Sequence, residues 1–130
     1  MSCSLCAIVA GDADAHRVYE GEDVIAFLDE NPAVHGHALV APRDHDADAL
    51  DGAGDAVAAA TRRVARALET VLGCDGVSAF YTTPTLVGDV THPHVHVLPR
   101  DRGDDVHLAL ERSTLDDDAG ALAERVRERV

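Results

Sequence analysis

Short apolar runs separated by turn-forming residues predict five β-strands in this chain. Gly21-Glu22-Asp23 separates the first two runs, Asn31-Pro32 ends the second, and Pro42 ends the third. Glycine and asparagine favour turns, and proline lacks the backbone donor that a sheet needs. The predicted strands are residues 17–20, 24–29, 37–41, 77–82 and 94–98.

Helical spacing of apolar residues predicts three helices. A short helix over residues 4–10 ends at Gly11, and an amphipathic helix over 118–129 closes the chain. The long helix, 55–72, carries its apolar residues on one face, at Val57, Ala60, Val64, Leu68 and Val71. The order β-β-β-α-β-β predicts an α+β fold with a mainly antiparallel sheet, because parallel pairs need more crossover helices.

Composition indicates a globular protein. The 130 residues are enough for one domain with its own core, and 46% of them are hydrophobic. We therefore interpret residues 1–130 as a single domain. The sequence shows no apolar run of 18 or more residues and no signal peptide. We expect a cytoplasmic protein without membrane partners.

The charge is strongly acidic, with 24 acidic against 11 basic residues and a net charge of −13. Every basic residue is arginine. A dense acidic surface stays hydrated and repels other copies of the chain where salt screens charge, which predicts a halophilic protein. An acidic interaction surface is the alternative, which the even spread of the acids disfavours. The same charge disfavours nonspecific binding to nucleic acid or to anionic membranes.

Three histidines, His92, His94 and His96, alternate with other residues before and within the last predicted strand. Side chains alternate between the two faces of a strand, so this spacing predicts three imidazoles on one face, about 6.5–7 Å apart. Imidazole titrates at about pH 6.5, close to physiological pH, so a row of three indicates a functional site.

The three cysteines do not predict a disulfide framework. Cys74 is interpreted as a lone thiol, whereas Cys3 and Cys6 form a CxxC motif. A redox CxxC usually follows a strand, and no strand precedes this one. The motif therefore indicates either two metal ligands or two reduced, partly buried thiols.

With these elements placed, the chain resembles the histidine triad (HIT) family of nucleotide hydrolases and transferases over nearly its whole length. The family signature, His-φ-His-φ-His-φ-φ with φ hydrophobic, stands here as residues 92–98, with Pro93 at one φ position. Residues 24–32 and 36–40 are similar to the family's nucleotide-binding half. The resemblance implies a five-stranded, mainly antiparallel sheet with one long and one or two short helices, and a homodimer.

The resemblance also implies a reaction. His94 matches the family's nucleophile, which attacks the α-phosphorus of a purine nucleotide and expels an amine, a phosphate or a second nucleotide; water then cleaves the phosphoramidate. His96 would hydrogen-bond phosphate oxygens. His37 would lie near the phosphates, where protonated imidazoles stabilise charge. Asp29 would accept hydrogen bonds from the ribose hydroxyls.

For the base, the resemblance implies an apolar pocket lined by Val24, Phe27 and Leu39. Phe27 has a second interpretation as a core residue, because aromatic residues are only 3% of the chain and cores need them.

Some microbial members of the family pair an N-terminal CxxC with two later histidines. The resemblance then implies a structural zinc site formed by Cys3, Cys6, His45 and His92, with all four coordination positions taken by protein.

The chain departs from the family in residues 81–91, where the usual amide residues are absent. Asp89 stands where a small hydroxyl residue is common beside the nucleotide, and its carboxylate repels phosphate unless it is protonated, metal-bound or turned away. Thr83, Thr85 or Thr91 would then contact the phosphate. Two alternatives stay open: a non-catalytic nucleotide sensor, and a zinc hydrolase with the three triad histidines as ligands.

Overall fold

One five-stranded sheet forms the centre of the fold. The computed structural model describes residues 3–47, 49–50, 54–86 and 92–130. The strands are β1 (Arg17–Glu20), β2 (Val24–Leu28), β3 (Ala38–Pro42), β4 (Gly76–Tyr81) and β5 (Val95–Arg100). The helices are α1 (Ser4–Ala10), α2 (Gly54–Leu72) and α3 (Ala119–Arg127), with a short 3-10 turn at Pro84–Leu86.

All strand pairs are antiparallel, and the sheet order is β1-β2-β3-β5-β4. The predicted α+β class and five-stranded antiparallel sheet are therefore confirmed. The last strand in sequence, β5, lies between β3 and β4. Its position brings the histidine segment that precedes it next to the upstream strands.

Helix α2 covers one face of the sheet. Its buried residues pack against every second residue of β2, β3 and β5, as the period of two along a strand requires. This cluster contains Val24, Ala26, Ala38, Val40, Val57, Ala60, Val64 and Val97. The predicted apolar stripe is confirmed over its first part, but Val71 at the helix end is 79% exposed.

Helix α1 packs on the opposite face. Its Leu5 lies against the intervening residues of β2 and β3, which are Ile25, Phe27, Leu39 and Ala41. Gly11 ends the helix at φ +83°, a conformation that side-chain-bearing residues rarely adopt, and its N–H bonds back to the last turn. The packing fixes the N-terminal CxxC beside the sheet.

The predicted boundaries agree with the observed ones to within two residues. The main difference is at β5, which begins at Val95, after His94. β4 ends at Tyr81, which pairs with Val95, and Pro93 has no N–H that could extend the ladder before that point. Helix α3 has the predicted amphipathic pattern, but Leu122 and Val126 remain about half exposed. Among the described residues, no helix is both long and apolar enough to cross a membrane.

Candidate functional site

Two thiols and two imidazoles converge where α1 meets the sheet and form a thiol cluster of Cys3, Cys6, His45 and His92. The His92 Nδ1 atom lies 3.6 Å from Cys3 Sγ and 3.5 Å from Cys6 Sγ. His45 Nδ1 lies 3.3 Å from Cys6 Sγ. One ligand atom from each of the four residues lies within 4.8 Å of all the others. The structure thus brings together the four residues predicted from the CxxC motif and the later histidines.

The local structure of this cluster orients its ligand atoms. Cys3 precedes α1, and its Sγ accepts a hydrogen bond from the backbone N–H of Cys6 at 3.2 Å. His92 is fully buried, and its Nε2–H donates to the Pro42 carbonyl at 2.7 Å. In a neutral ring this bond leaves the lone pair on Nδ1, which faces the two thiols.

Tetrahedral zinc fits this arrangement. Zn–S distances of about 2.3 Å and Zn–N distances of about 2.0–2.1 Å place sulfur and nitrogen ligands roughly 3.5 Å apart. The sulfur–nitrogen separations between Cys3 and His92, Cys6 and His45, and Cys6 and His92 are 3.3 to 3.6 Å and agree with this value. The adjacent Cys3 side chain, followed by burial and nearby acids, raises the pKa of Cys6. Two neighbouring thiolates repel each other, and a bound cation would offset that repulsion.

His94 is held in one tautomer by the backbone. Its Nδ1–H donates to the His92 carbonyl at 2.9 Å, and the residue is only 9% exposed. In a neutral ring the lone pair is then on Nε2, the nitrogen that can attack a phosphorus atom. The three imidazoles do not form the predicted row, because the His92 ring is turned into the thiol cluster. The His94 and His96 ring centroids are 4.9 Å apart.

His96 lies in a row of side chains that crosses the sheet on the α1 face. It pairs with Leu39 of β3 and with Phe80 of β4. The Phe80 ring stacks on the imidazole, with centroids 4.7 Å apart and planes inclined by 16°. No motif in the sequence singles out Phe80. Alternation in β4 restricts its face, but the pairing register that brings it to His96 is not visible in the sequence.

His37 connects the upstream strands to the triad. Its Nε2 lies 2.9 Å from His96 Nδ1 and 3.6 Å from Asp29 Oδ2. The backbone N–H of Asp29 donates to the His37 carbonyl at 2.9 Å, which holds the two residues side by side. Gly36 adopts φ +90°, and a Cβ there would meet Leu72 at 2.8 Å. Glycine is therefore needed where the chain enters β3.

Burial affects the expected charge of His96 and His37. Burial, followed by the nearby His94 and His37, lowers the pKa of His96 to about 4. Burial also lowers the pKa of His37, although Asp29 opposes this effect. In the free protein, burial therefore opposes the protonation of His37 and His96 that the resemblance implied. A neutral imidazole N–H still donates a hydrogen bond.

We expect the His96 imidazole to keep its neutral chemical shift as the pH falls from about 7.5 to about 5.5, because its pKa is about 4. Ring-proton NMR of the protein measures this directly, with free histidine in the same buffer as the reference. A His96 midpoint near the ordinary value of about 6.5 is the contradictory result.

The residues predicted to bind the base fall into two groups. Phe27 and Leu39 lie on the same face as His96, but at 3% and 8% exposure they form the floor beneath that face. Val24 was predicted wrongly. It lies on the opposite face of β2, in the cluster under α2. Val24 and Phe27 are three residues apart, and side chains an odd number of residues apart on a strand point to opposite faces.

The loop that departs from the family is only partly described. Asp89 and Thr91 lie outside the described residues, and so does the side chain of Thr85. The predicted nucleotide-binding role of Asp89 and the predicted phosphate contacts of Thr85 and Thr91 stay predictions. Thr83 is exposed beside the 3-10 turn. Asp29 keeps a partly buried carboxylate, whose Oδ1 accepts from the Asn31 N–H at 2.9 Å.

With this geometry in place, comparison with known proteins decides the family. The sequence profile of the HIT domain matches residues 10–103. The chain belongs to the HIT family. It is accordingly a nucleotide-binding protein of that family.

Three similar proteins extend this result. An uncharacterised HIT-like protein of Mycobacterium tuberculosis is 38% identical, and the match spans 84% of this chain and 78% of that one. The structure of a Zn-bound histidine triad family protein from Mycobacterium smegmatis is 36% identical, with TM-score 0.71 and coverage of 99% and 95%. Adenylylsulfatase HINT3 of Arabidopsis thaliana is 29% identical over 78% of this chain and 54% of its own length.

Proposed function

We propose that this HIT protein is a nucleotidyl hydrolase that cleaves the α-phosphate linkage of a purine nucleotide through a covalent nucleotidyl-His94 intermediate. The observation that carries the proposal is the bond from His94 Nδ1–H to the His92 carbonyl. This bond leaves Nε2 as the nucleophilic nitrogen, beside a second imidazole that can contact the phosphate. The Arabidopsis relative named adenylylsulfatase supports chemistry at a nucleotide α-phosphate.

The proposed reaction has two displacements. The Nε2 lone pair of His94 forms a bond to the α-phosphorus, and the bond to the leaving group breaks with its electron pair. Water then attacks the same phosphorus, and the P–N bond breaks and returns its electron pair to Nε2. One water proton is released and the hydroxyl becomes part of the nucleoside monophosphate. Two moderate barriers replace one high barrier.

Other residues bind and orient the nucleotide in this proposal. His96 donates a hydrogen bond to a phosphate oxygen, and Asp29 accepts from the ribose hydroxyls. Phe27 and Leu39 support the base from below.

We propose zinc as a structural ion held by Cys3, Cys6, His45 and His92, because the ligand separations fit tetrahedral zinc. The zinc-bound mycobacterial neighbour supports this assignment. The rival site of three triad histidines fits poorly. His92 Nδ1 faces the thiols and its Nε2 is bonded to Pro42, so neither nitrogen faces the other two rings.

The function is tested with a panel of adenylyl sulfate, adenosine phosphoramidate and a diadenosine polyphosphate, each offered to the zinc-loaded protein. We expect release of AMP from at least one of them. The alternative is a nucleotide sensor. Tight AMP binding by calorimetry without turnover of any of the three compounds would replace the hydrolase with that sensor.

We also propose a homodimer. β4 is an edge strand of the sheet. Beside it lies an open, mostly apolar cleft of about 330 Å³ between α2 and the sheet, lined in part by Val57, Ala58 and Val95. Sedimentation equilibrium is expected to give twice the chain mass of 13.7 kDa. A single-chain mass at high protein concentration would contradict the dimer.

A further inference from the structure

A chain of hydrogen bonds runs from the backbone into the reaction centre through two imidazoles. The Ala33 backbone N–H donates to His37 Nδ1 at 3.0 Å. On the other side of the same ring, His37 Nε2 lies 2.9 Å from His96 Nδ1. The three groups come from the loop before β3, from the residue that precedes β3, and from β5.

The first member of this chain fixes the proton positions in the other two. A backbone N–H only donates, so His37 Nδ1 must accept, and a neutral His37 carries its proton on Nε2. That N–H faces His96 Nδ1, which must also accept. A neutral His96 therefore carries its proton on Nε2. Since Nδ1 is occupied, Nε2–H is the ring atom left to contact a substrate.

The surroundings keep both rings neutral. His96 faces Phe80 of β4, His94 of its own segment, and the pair His37 and Asp29 across the sheet. A proton added to His96 Nδ1 would point at the Nε2–H of His37. Burial lowers the pKa of both histidines, and the Asp29 carboxylate only partly offsets the effect at His37.

A metal ion is the rival occupant of this site. Asp29, His37 and His96 offer three ligand atoms within 4.8 Å of one another. Coordination by His37 would need a lone pair on Nε2 and hence a proton on Nδ1. The Ala33 N–H already points at Nδ1, and two donors would then face each other. The hydrogen-bond pattern therefore favours a hydrogen bond between His37 and His96 over a shared metal ion.

We propose that His37 is a positioning residue that holds His96 in the neutral Nε2–H form, so that His96 presents a donor and not a base to the transferred phosphate. The tautomer follows from the free protein alone, whereas the phosphate contact rests on the proposed function. In the nucleotidyl transfer His37 then acts through His96, and His96 stabilises charge on a phosphate oxygen.

The test compares His37→Phe with His37→Gln in the zinc-loaded protein. Phenylalanine removes the donor, whereas the glutamine amide Nε2–H can still donate to His96 Nδ1. Nitrogen-15 NMR of the His96 ring is expected to show only the Nε2–H tautomer in the wild type and in His37→Gln. A mixture of tautomers is expected in His37→Phe. His35→Phe, at an exposed histidine two residues away, is the matched control and leaves the tautomer unchanged.

Kinetics supply the second readout. We expect His37→Phe to lower kcat by about 10–100-fold, with KM within about threefold, because orientation is lost while nucleotide contacts remain. His37→Gln is expected to recover most of this loss. Zinc content and thermal unfolding establish that each variant is folded. If His37→Phe does not fold, the tautomer in His37→Gln decides the question by itself.

Three results would overturn the proposal: an unchanged His96 tautomer in folded His37→Phe, loss of the tautomer in folded His37→Gln, or a second bound metal that His37 variants lose. Failure of the proposed hydrolase is a separate outcome. In that case no substrate in the panel turns over, while the dependence of the His96 tautomer on residue 37 remains.

Discussion

Replacing His94 by alanine is expected to lower kcat/KM by about 10⁴-fold or more, because the nucleophile of a covalent mechanism has no substitute in the site. AMP affinity should change by less than about tenfold, since Asp29 and His96 remain in place to bind the nucleotide. Steady-state hydrolysis and calorimetry of AMP measure the two quantities separately. The expected result is a protein that binds nucleotide but does not turn it over.

His107→Ala is the matched control, because this histidine is exposed. It should keep wild-type kcat/KM. An alanine variant at 94 that retains full turnover would exclude a His94 intermediate. A variant that loses nucleotide affinity and turnover to the same extent would assign His94 to binding rather than to covalent chemistry.

The second large effect is expected at the thiol cluster. Cys3→Ala should abolish stoichiometric zinc binding and lower the free energy of unfolding by at least about 3 kcal/mol, because the free energy of binding structural zinc contributes directly to folding. For a chain of this size, that corresponds to a fall in Tm of roughly 10 °C. Metal analysis and thermal unfolding measure these two changes.

Cys74→Ala is the control, because Cys74 is half-buried but lies outside the cluster, with its thiol directed at the Gly76 carbonyl. We expect it to keep one zinc per chain and to lose at most about 1 kcal/mol of stability. A Cys3→Ala protein that melts with the wild type in zinc-containing buffer would refute a structural metal at this site.

His92 links the two predictions. Its ring belongs to the thiol cluster and bonds to Pro42, whereas its carbonyl accepts the His94 Nδ1–H. Loss of zinc therefore removes a restraint on the residue that fixes the tautomer of the nucleophile. Cys3→Ala should lower kcat even at temperatures where the protein remains folded.

The sequence predicted the fold well because local chemistry determines most of it. Alternating and helical apolar patterns located the strands and helices, and Gly11 and Pro42 ended elements within one residue of the expected positions. Local patterns do not determine the order of the strands in the sheet. The insertion of β5 between β3 and β4 depends on pairing between distant segments.

The site residues that belong to sequence motifs were predictable. The residues whose role depends on strand pairing or loop conformation were less so. The triad and the CxxC motif indicated the two clusters that the structure brings together. The resemblance implied Val24 as a base-pocket residue, but its side chain lies on the α2 face of β2. The stacking of Phe80 and the Ala33 N–H bond depend on register and loop conformation, which composition does not report.

Trapping the intermediate tests the central claim most directly. The zinc-loaded protein is mixed with a substrate labelled in its adenylyl group, quenched in alkali, digested, and examined for the modified histidine by fragment mass spectrometry. We predict one adenylyl group on His94 and none in His94→Ala. Full turnover with no label on any histidine, or label confined to His96, would contradict the account.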